Sequence, residues 1–270
     1  MKVTYSTNAW SPVMAHCAAP NNVNGAFYVS PGSDEEAIAG ISAAGFESIE
    51  MFDGNLLAYE GRESELSALL ARYHVTLQAV YSACNFIYSE ILPEEMYRLR
   101  RAASFAKKFG ATQIALGGGA TRFDGIREDD YEKLAAGLDC ACELAEELGM
   151  TASFHPHMGS LVETPEQLDK VMEKSRIKLC PDCGHVKLGG GDPLTITRKY
   201  ADRILYFHLK DLTEDGEFCP LGVGTIDFKP IIKTLTERGG EILWAIECDG
   251  WSGNANEGAK ISAEYLKGLL

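Results

Sequence analysis

The chain has 270 residues, a length that suits one large α/β domain or two small ones. Its formal net charge is −14 at pH 7, which argues against nucleic acid as a partner because such affinity comes mainly from Lys and Arg at phosphates. Hydrophobic residues make up 46% of the chain, an ordinary globular share, and no apolar run is long enough to span a bilayer.

Short β-type runs alternate along the chain with longer amphipathic helical runs. In the first half, strands are predicted at 3–8, 48–52, 76–81 and 113–116, and helices at 34–44, 64–73 and 94–109. Ser33, followed three residues later by Glu36, predicts a capping box for the first helix. Gly45 and Gly110 are predicted to end the first and third helices.

The second half continues the same alternation. Strands are predicted at 151–154, 178–180, 204–209 and 243–247, and helices at 129–148, 165–173, 193–200, 228–238 and 258–269. Thr164 and Asp192 are the predicted N-caps of two of these helices. Because parallel strands need crossover helices, eight strand–helix units predict a single α/β domain over 1–270, a (β/α)8 TIM barrel. An open doubly wound sheet is the alternative.

Four residues that can bind a metal lie at the ends of consecutive predicted strands: His155, Asp182, His208 and Glu247. Each is about one βα unit from the next, and the carboxyl ends of barrel strands meet at one face. A set of imidazole and carboxylate ligands suits a transition metal better than Ca²⁺. The sequence therefore predicts one divalent metal ion, with Mn²⁺ as first choice and Co²⁺, Mg²⁺, Zn²⁺ or Fe²⁺ as alternatives.

At these residues the chain resembles the xylose isomerase-like barrel superfamily, which includes sugar isomerases and epimerases, inosose dehydratase and endonuclease IV. The matching segments are 154–159 (FHPHMG), 182–185 (DCGH), 207–211 (FHLKD), 220–228 (PLGVGTIDF) and 246–249 (IECD). The resemblance implies that Asp182, His208 and Glu247 are three of four metal ligands. The fourth is usually a glutamate, and here His155 stands in its place, with His157 as an alternative alignment.

The resemblance also implies a mechanism in which the metal polarises a substrate carbonyl and stabilises an enediolate. Glu247 or His157 would remove the proton. The superfamily's epimerases shuttle protons with two glutamates on opposite faces of the substrate, so His155 argues against a symmetric version of that chemistry. The further catalytic candidates are Glu50, His185 and Lys210. The expected substrate-binding residues are His185, Lys210, Glu50 and Trp10.

The leading prediction is a metal-dependent isomerase or epimerase that acts on a keto-sugar or polyol. The alternative is a lyase that resembles inosose dehydratase and acts on a keto-inositol or a 3-keto-glycoside. A DNA repair enzyme like endonuclease IV is disfavoured by the net charge and by only six histidines. A non-catalytic sugar-binding barrel would not need four convergent ligands. The expected partner is a small sugar or cyclitol substrate, and neither nucleic acid nor a membrane is expected to bind. Assembly into a homo-oligomer is left open.

Eight cysteines are present, and no secretory leader precedes them, so we expect reduced thiols and a cytoplasmic protein. Cys180 and Cys183 have the spacing of a redox or zinc motif. No second pair has the spacing of a zinc ribbon, so both are predicted to be packing residues.

Overall fold

The computed structural model describes residues 1–10 and 27–269, together with the backbone of 14–15. The strands are β1 Lys2–Ser6, β2 Met14–Ala15, β3 Tyr28–Val29, β4 Ser48–Phe52, β5 Thr76–Ser82, β6 Gln113–Gly117, β7 Thr151–His155, β8 Lys178–Leu179, β9 Tyr206–Leu209, β10 Asp211–Leu212, β11 Phe218–Cys219 and β12 Leu243–Ile246. The helices are α1 Asp34–Ala43, α2 Asp53–Leu57, α3 Glu63–Arg72, α4 Leu92–Lys108, α5 Glu128–Glu147, α6 Pro165–Met172, α7 Cys183–Leu188, α8 Pro193–Lys199, α9 Phe228–Arg238 and α10 Ala255–Leu269.

Eight of the strands form one parallel sheet in the order β8-β7-β6-β5-β4-β1-β12-β9. The sheet closes on itself between β8 and β9 through two parallel bridges, Leu179 with Ile204 and Asp182 with His208. A hydrogen bond of 2.9 Å from the His208 N–H to the Pro181 carbonyl supports this closure. The predicted (β/α)8 TIM barrel is confirmed, and its closure brings Asp182 beside His208.

The predicted helices and strands are present, and most of their bounds shift by one to three residues. The strand 48–52 and the helix 228–238 have the predicted bounds, whereas α10 begins at Ala255. Ser33 caps α1 by accepting the Glu36 N–H, and Thr164 forms a capping box with Gln167. Four features were not predicted: the short helices α2 and α7, the antiparallel pair β2–β3 and the hairpin β10–β11.

Side chains on the strands divide into two buried clusters. The larger cluster packs the outer faces of the strands against the surrounding helices. The smaller cluster fills the interior of the barrel and includes the small side chains Ala79, Ala115 and Ala245. Small residues there leave room for buried polar groups, among them Glu50 and Ser153. In the part of the chain that the structure describes, no helix combines the length and apolar character that a membrane crossing requires.

Candidate active site

The four predicted metal ligands converge at the carboxyl ends of the barrel strands. His155 is the last residue of β7, Asp182 is the N-cap of α7, His208 lies within β9, and Glu247 directly follows β12. One ligand atom from each lies within 4.8 Å of those of the other three, and all four side chains are buried. Ligand atoms around one ion at about 2.0–2.3 Å lie no more than about 4.5 Å apart, so this spread is close to that of a metal site.

Unpaired polar atoms in the cluster also fit a metal. Among the described residues, both ring nitrogens of His155 and the Oδ2 atom of Asp182 are buried without a hydrogen-bond partner. Burying polar atoms without partners is costly, and a bound cation would take a lone pair from one His155 nitrogen and one from Asp182 Oδ2. Two imidazoles with two carboxylates suit a divalent transition metal. These residues could therefore hold such an ion.

The position of His157 bears on which histidine is the fourth ligand. His157 is half-buried and is absent from the set that contains Asp182 and His208; instead it forms a second set with His155 and His185. Its Nδ1 lies 2.8 Å from the Met158 carbonyl oxygen, which can only accept a hydrogen bond. Nδ1 therefore carries the proton, and Nε2 keeps a free lone pair. This arrangement favours His155 as the ligand.

Lys210 is fully buried at the centre of the site. Its ammonium group lies 2.7 Å from Asp249 Oδ2, 2.8 Å from His185 Nε2, 3.1 Å from Glu247 Oε2 and 3.3 Å from Asp182 Oδ2. An ammonium has three protons and no lone pair, so His185 Nε2 must accept. The His185 proton is then on Nδ1, which is buried without a partner among the described residues. His185 thus offers an N–H donor.

Burial and neighbouring charges set the ionisation of the cluster. Burial lowers the pKa of His155 and of His185 well below 6.5; the charges of His208 and Lys210 lower that of His155 further, and the charge of Lys210 lowers that of His185. Burial raises the pKa of Asp182, and Lys210 offsets only part of that rise. For Glu247 burial acts in the same direction, but Lys210 and His208 outweigh it and hold its pKa well below 4.5. The two histidines are therefore neutral, as metal binding and proton transfer require.

Two polar residues that hold Glu247 and Lys210 in one network were not predicted as site residues, Asn8 and Asp249. Asn8 donates from Nδ2 to Glu247 Oε1 at 2.6 Å and to Asp249 Oδ1 at 2.7 Å. Asn8 therefore fixes Glu247 from the side opposite Lys210, and Asp249 joins both groups in one network. The signal for this was present: Asn8 and Asp249 follow β1 and β12, which are neighbours in the sheet.

Glu50 and Trp10 lie elsewhere than expected. Glu50 is fully buried in the barrel interior, where Tyr206 donates its hydroxyl proton to Oε2 at 2.6 Å. The Trp10 indole N–H donates to Asn256 Oδ1 at 2.9 Å, and its ring packs edge-on against Tyr5. Trp10 thus joins the segment after β1 to α10, and it does not border the cleft described next. This placement argues against the predicted substrate contact at Trp10, which stays a prediction.

A cleft of about 400 Å³ opens onto the cluster, and aromatic and acidic side chains line it. The lining residues are Tyr28, Phe52, Tyr81, His157, Glu217, Phe218, Glu247, Asp249 and Gly250. The rings of Tyr28, Phe52 and Tyr81 lie 5.4–5.8 Å apart and form one wall. Aromatic rings can pack on the apolar face of a polyol while carboxylates bind its hydroxyls. A separate groove of about 860 Å³ lies at the opposite end of the barrel, far from these residues.

Asp211 organises the loop that carries the PLGVGTIDF segment. Its carboxylate accepts the backbone N–H groups of Leu212 and Ile226 on Oδ1, and those of Gly222 and Gly224 on Oδ2, at 2.9–3.1 Å. A Cβ at Gly224 would collide with the Asp211 carboxylate, so only glycine fits there.

The same loop supports the hairpin β10–β11, which contributes a wall of the site. The ring of Phe218 lies 5.5 Å from that of His185 and 5.0 Å from Lys210 Nζ. Its edge-on contact with the imidazole and its cation–π contact with the ammonium shield both groups from water.

Comparison with known proteins gives a consistent result. An inosose dehydratase of Geobacillus kaustophilus is 29% identical, over 88% of each chain. A solved structure of a probable 3-DHS dehydratase, AsbF of Bacillus anthracis, superposes with a TM-score of 0.72 at 19% identity, over 99% of both chains. The IOLI protein, whose structure holds a zinc atom, gives a TM-score of 0.75 at 15% identity, over 100% of this chain and 98% of that one.

These two structural matches show the fold. The family is shown by a sequence profile described as the xylose isomerase-like TIM barrel, which matches residues 38–269. The match covers all the barrel strands except β1, and all four candidate metal ligands. This chain belongs to the xylose isomerase-like TIM barrel family.

Proposed function

We propose that this protein is a metal-dependent carbon–oxygen lyase that removes water from a keto-cyclitol or a related keto-polyol. One observation carries the proposal: a proton acceptor, His157 Nε2, lies beside a proton donor, His185 Nδ1–H, with ring centroids 3.7 Å apart. The similarity to an inosose dehydratase over most of the chain supports it. This places the lyase alternative ahead of the isomerase or epimerase, which the comparisons support less directly.

The metal site in this proposal consists of His155, Asp182, His208 and Glu247. A divalent ion bound there supplies Lewis acidity, polarising the substrate carbonyl and making the adjacent C–H more acidic. Mn²⁺ stays the first choice because the mixed nitrogen and oxygen ligands accommodate it. Asn8 and Lys210 hold Glu247 in place through hydrogen bonds of 2.6 and 3.1 Å.

Proton transfer follows from the tautomers of the two histidines. His157 Nε2 removes the proton next to the carbonyl, and the C–H electrons form the double bond of an enediolate. The electrons of the enediolate then expel the hydroxyl group on the next carbon, and His185 Nδ1–H protonates it to give water. The Lys210 ammonium hydrogen-bonds to His185 Nε2 and passes a proton there as Nδ1 loses its own. The remaining enol rearranges to a 1,2-diketone.

The site is asymmetric, which favours elimination over epimerisation. Epimerisation requires proton donors and acceptors on both faces of one carbon. In this site both carboxylate oxygens of Glu247 are already engaged, Oε1 by Asn8 and Oε2 by His208 and Lys210. In the described part of the chain, the pair His157 and His185 offers one free acceptor and one free donor.

The test follows deuterium and water loss together. The Mn²⁺-loaded protein is incubated in D₂O with a panel of inososes, keto-sugars and 3-keto-glycosides, and NMR follows the substrates and products. We expect loss of water and a diketone from a keto-cyclitol. Deuterium at carbon without water loss would support isomerisation or epimerisation and overturn the lyase. No exchange with any substrate, and no metal bound, would overturn the enzymatic proposal as a whole.

Two variants separate the proton-transfer roles. His157→Gln should abolish both deuterium uptake and water loss, because the acceptor is gone. His185→Gln should keep deuterium uptake while water loss slows by about 10²–10⁴-fold, the usual contribution of a general acid. His74→Asn is the matched control, since His74 is an exposed histidine at the opposite end of the barrel and asparagine tolerates its positive φ of 54°. Equal effects of His157→Gln and His185→Gln on deuterium uptake would contradict the assigned roles.

The state of the cysteines suggests in which cellular compartment the protein works. The cysteines in the described part of the chain are all free, and six of these seven are buried. Free thiols persist in a reducing compartment, so we place the enzyme in the cytoplasm with a small polyhydroxylated ketone as its substrate.

A further inference from the structure

The two ring nitrogens of His208 face different surroundings. Nδ1 lies 2.8 Å from Glu247 Oε2 and 3.9 Å from Asp182 Oδ2, on the side of the proposed metal ligands. Nε2 faces Glu50, whose Oε2 atom is 3.4 Å away. An ion held by the four proposed ligands would therefore bind His208 through Nδ1.

Binding through Nδ1 determines where the His208 proton must be. A neutral imidazole that coordinates a metal with one nitrogen carries its proton on the other. Nε2–H would then need an acceptor, since His208 is fully buried and water does not reach it. The Glu50 carboxylate is the acceptor that the structure offers. The Cys180 thiol also interacts with the ring, but sulfur is a weak acceptor.

Glu50 is itself held in position for this contact. The Tyr206 hydroxyl donates to its Oε2 atom at 2.6 Å, and its other oxygen, Oε1, has no hydrogen-bond partner among the described residues. Glu50 on β4 and His208 on β9 are separated in the sheet by β1 and β12, so their contact crosses the barrel interior. Glu50 does not line the cleft, which places it beneath the metal ligands rather than beside a substrate.

We propose that Glu50 is a positioning residue for the metal site: it accepts the Nε2–H of His208, fixes the ring with Nδ1 toward the ion, and does not contact the substrate. This inference rests on the proposed metal site. It differs from the sequence-based expectation of a catalytic or substrate-binding Glu50. A carboxylate hydrogen-bonded to a metal-binding histidine makes that histidine a stronger ligand.

The first measurement is metal affinity, obtained by competition with a chelator for Mn²⁺ and Zn²⁺ and independent of turnover. Glu50→Gln keeps an acceptor without the charge and should weaken binding about 10-fold, and Glu50→Leu about 100-fold, the range for lost outer-shell partners. Tyr206→Phe should have a smaller effect of the same sign. Glu95→Gln is the matched control, since Glu95 is also a buried carboxylate but pairs with Arg98 outside the metal cluster, and it should bind metal as the unaltered protein does.

The second measurement reports on the His208 ring itself. In zinc-loaded protein labelled with ¹⁵N-histidine, we expect a slowly exchanging Nε2–H proton signal from His208 that moves upfield in Glu50→Gln. Circular dichroism checks folding, and if Glu50→Leu fails to fold, Glu50→Gln alone decides the outcome. Unchanged affinity and an unchanged His208 signal in Glu50→Gln would overturn the positioning role. So would unchanged affinity with lost turnover, because Glu50 would then act on the substrate.

These outcomes are distinct from failure of the proposed function. If the unaltered protein binds no divalent metal, the lyase proposal and this inference fall together. If it binds metal and Glu50 variants bind it equally well, only the positioning role is overturned.

Discussion

Replacing Lys210 by methionine should strongly destabilise the metal-free protein. The Lys210 ammonium is fully buried and lies within 3.3 Å of carboxylate oxygens from Asp249, Glu247 and Asp182. Methionine keeps most of the side-chain volume but leaves the buried carboxylates of Asp182 and Glu247, and the half-buried one of Asp249, without this counter-ion. Removing one partner of a buried charge pair typically costs about 3–5 kcal/mol, and we expect a loss of that size in the free energy of unfolding.

Urea denaturation followed by circular dichroism measures this loss, first with a chelator present and then with Mn²⁺. Lys210 repels a metal cation, so the ion should stabilise Lys210→Met more than the unaltered protein, and saturation at 1,000 times the dissociation constant adds about 4 kcal/mol. Lys199→Met is the matched control: the Lys199 ammonium is 2.6 Å from Asp169, but both side chains are partly exposed, so the loss should be below about 1 kcal/mol. A loss for Lys210→Met as small as that of the control would refute the reasoning.

Three further predictions concern residues outside the metal cluster. Burial raises the pKa of Asp53 to about 6, against the opposing effect of Arg98. The native carboxyl then keeps its proton where the unfolded chain has lost it, so this group lowers the free energy of unfolding by up to about 3 kcal/mol as the pH rises from 3.8 to 6. In urea denaturation at pH 4 and at pH 7, the free energy of unfolding of Asp53→Asn should lack this decrease. If the variant and the unaltered protein show the same pH dependence, the prediction is wrong. Asp211→Asn should lose roughly 1.5–3 kcal/mol in the same assay, because hydrogen bonds to a charged acceptor contribute that much; no loss would show that the loop holds without the charge. Trp10→Phe should lower stability by about 1 kcal/mol through its lost hydrogen bond and leave KM unchanged, whereas a raised KM would support Trp10 as a substrate contact.

The barrel could be predicted because its signals are local. Each strand is a short apolar run and each helix an amphipathic one, bounded by caps such as Ser33 and Thr164 that the structure contains. The helix α7 was missed because it spans only Cys183–Leu188 and begins between Pro181 and Gly184, residues typical of a loop. Its actual signal is the Asp182 side chain, which accepts the His185 N–H at 2.9 Å. Six residues span fewer than two helical turns, too few for the spacing of apolar residues to reveal a helix.

The site was only partly predictable because some of its contacts depend on neighbours that are distant in sequence. Asn8 and Asp249 are 241 residues apart and meet because the first and last strands are paired. Glu50 was predicted to be catalytic or substrate-binding, but its strand, which has the predicted bounds 48–52, continues for two residues beyond it, to Phe52. At about 3.3 Å per residue, those two residues place Glu50 roughly one side-chain layer deeper, beneath His208.

The imidazole at position 155 links the ligand set to the proposed reaction. A set with three carboxylates and one histidine carries more negative charge than a divalent ion can neutralise, and that surplus weakens the pull of the ion on a substrate carbonyl. With His155 the set has two carboxylates, Asp182 and Glu247, whose charge a divalent ion balances, while the charge of Lys210 is matched by Asp249 at 2.7 Å. A less neutralised ion is a stronger Lewis acid toward the carbonyl oxygen. The same substitution removes one candidate carboxylate base, and the acceptor and donor that remain, His157 and His185, lie side by side, where they can act on adjacent carbons of one substrate.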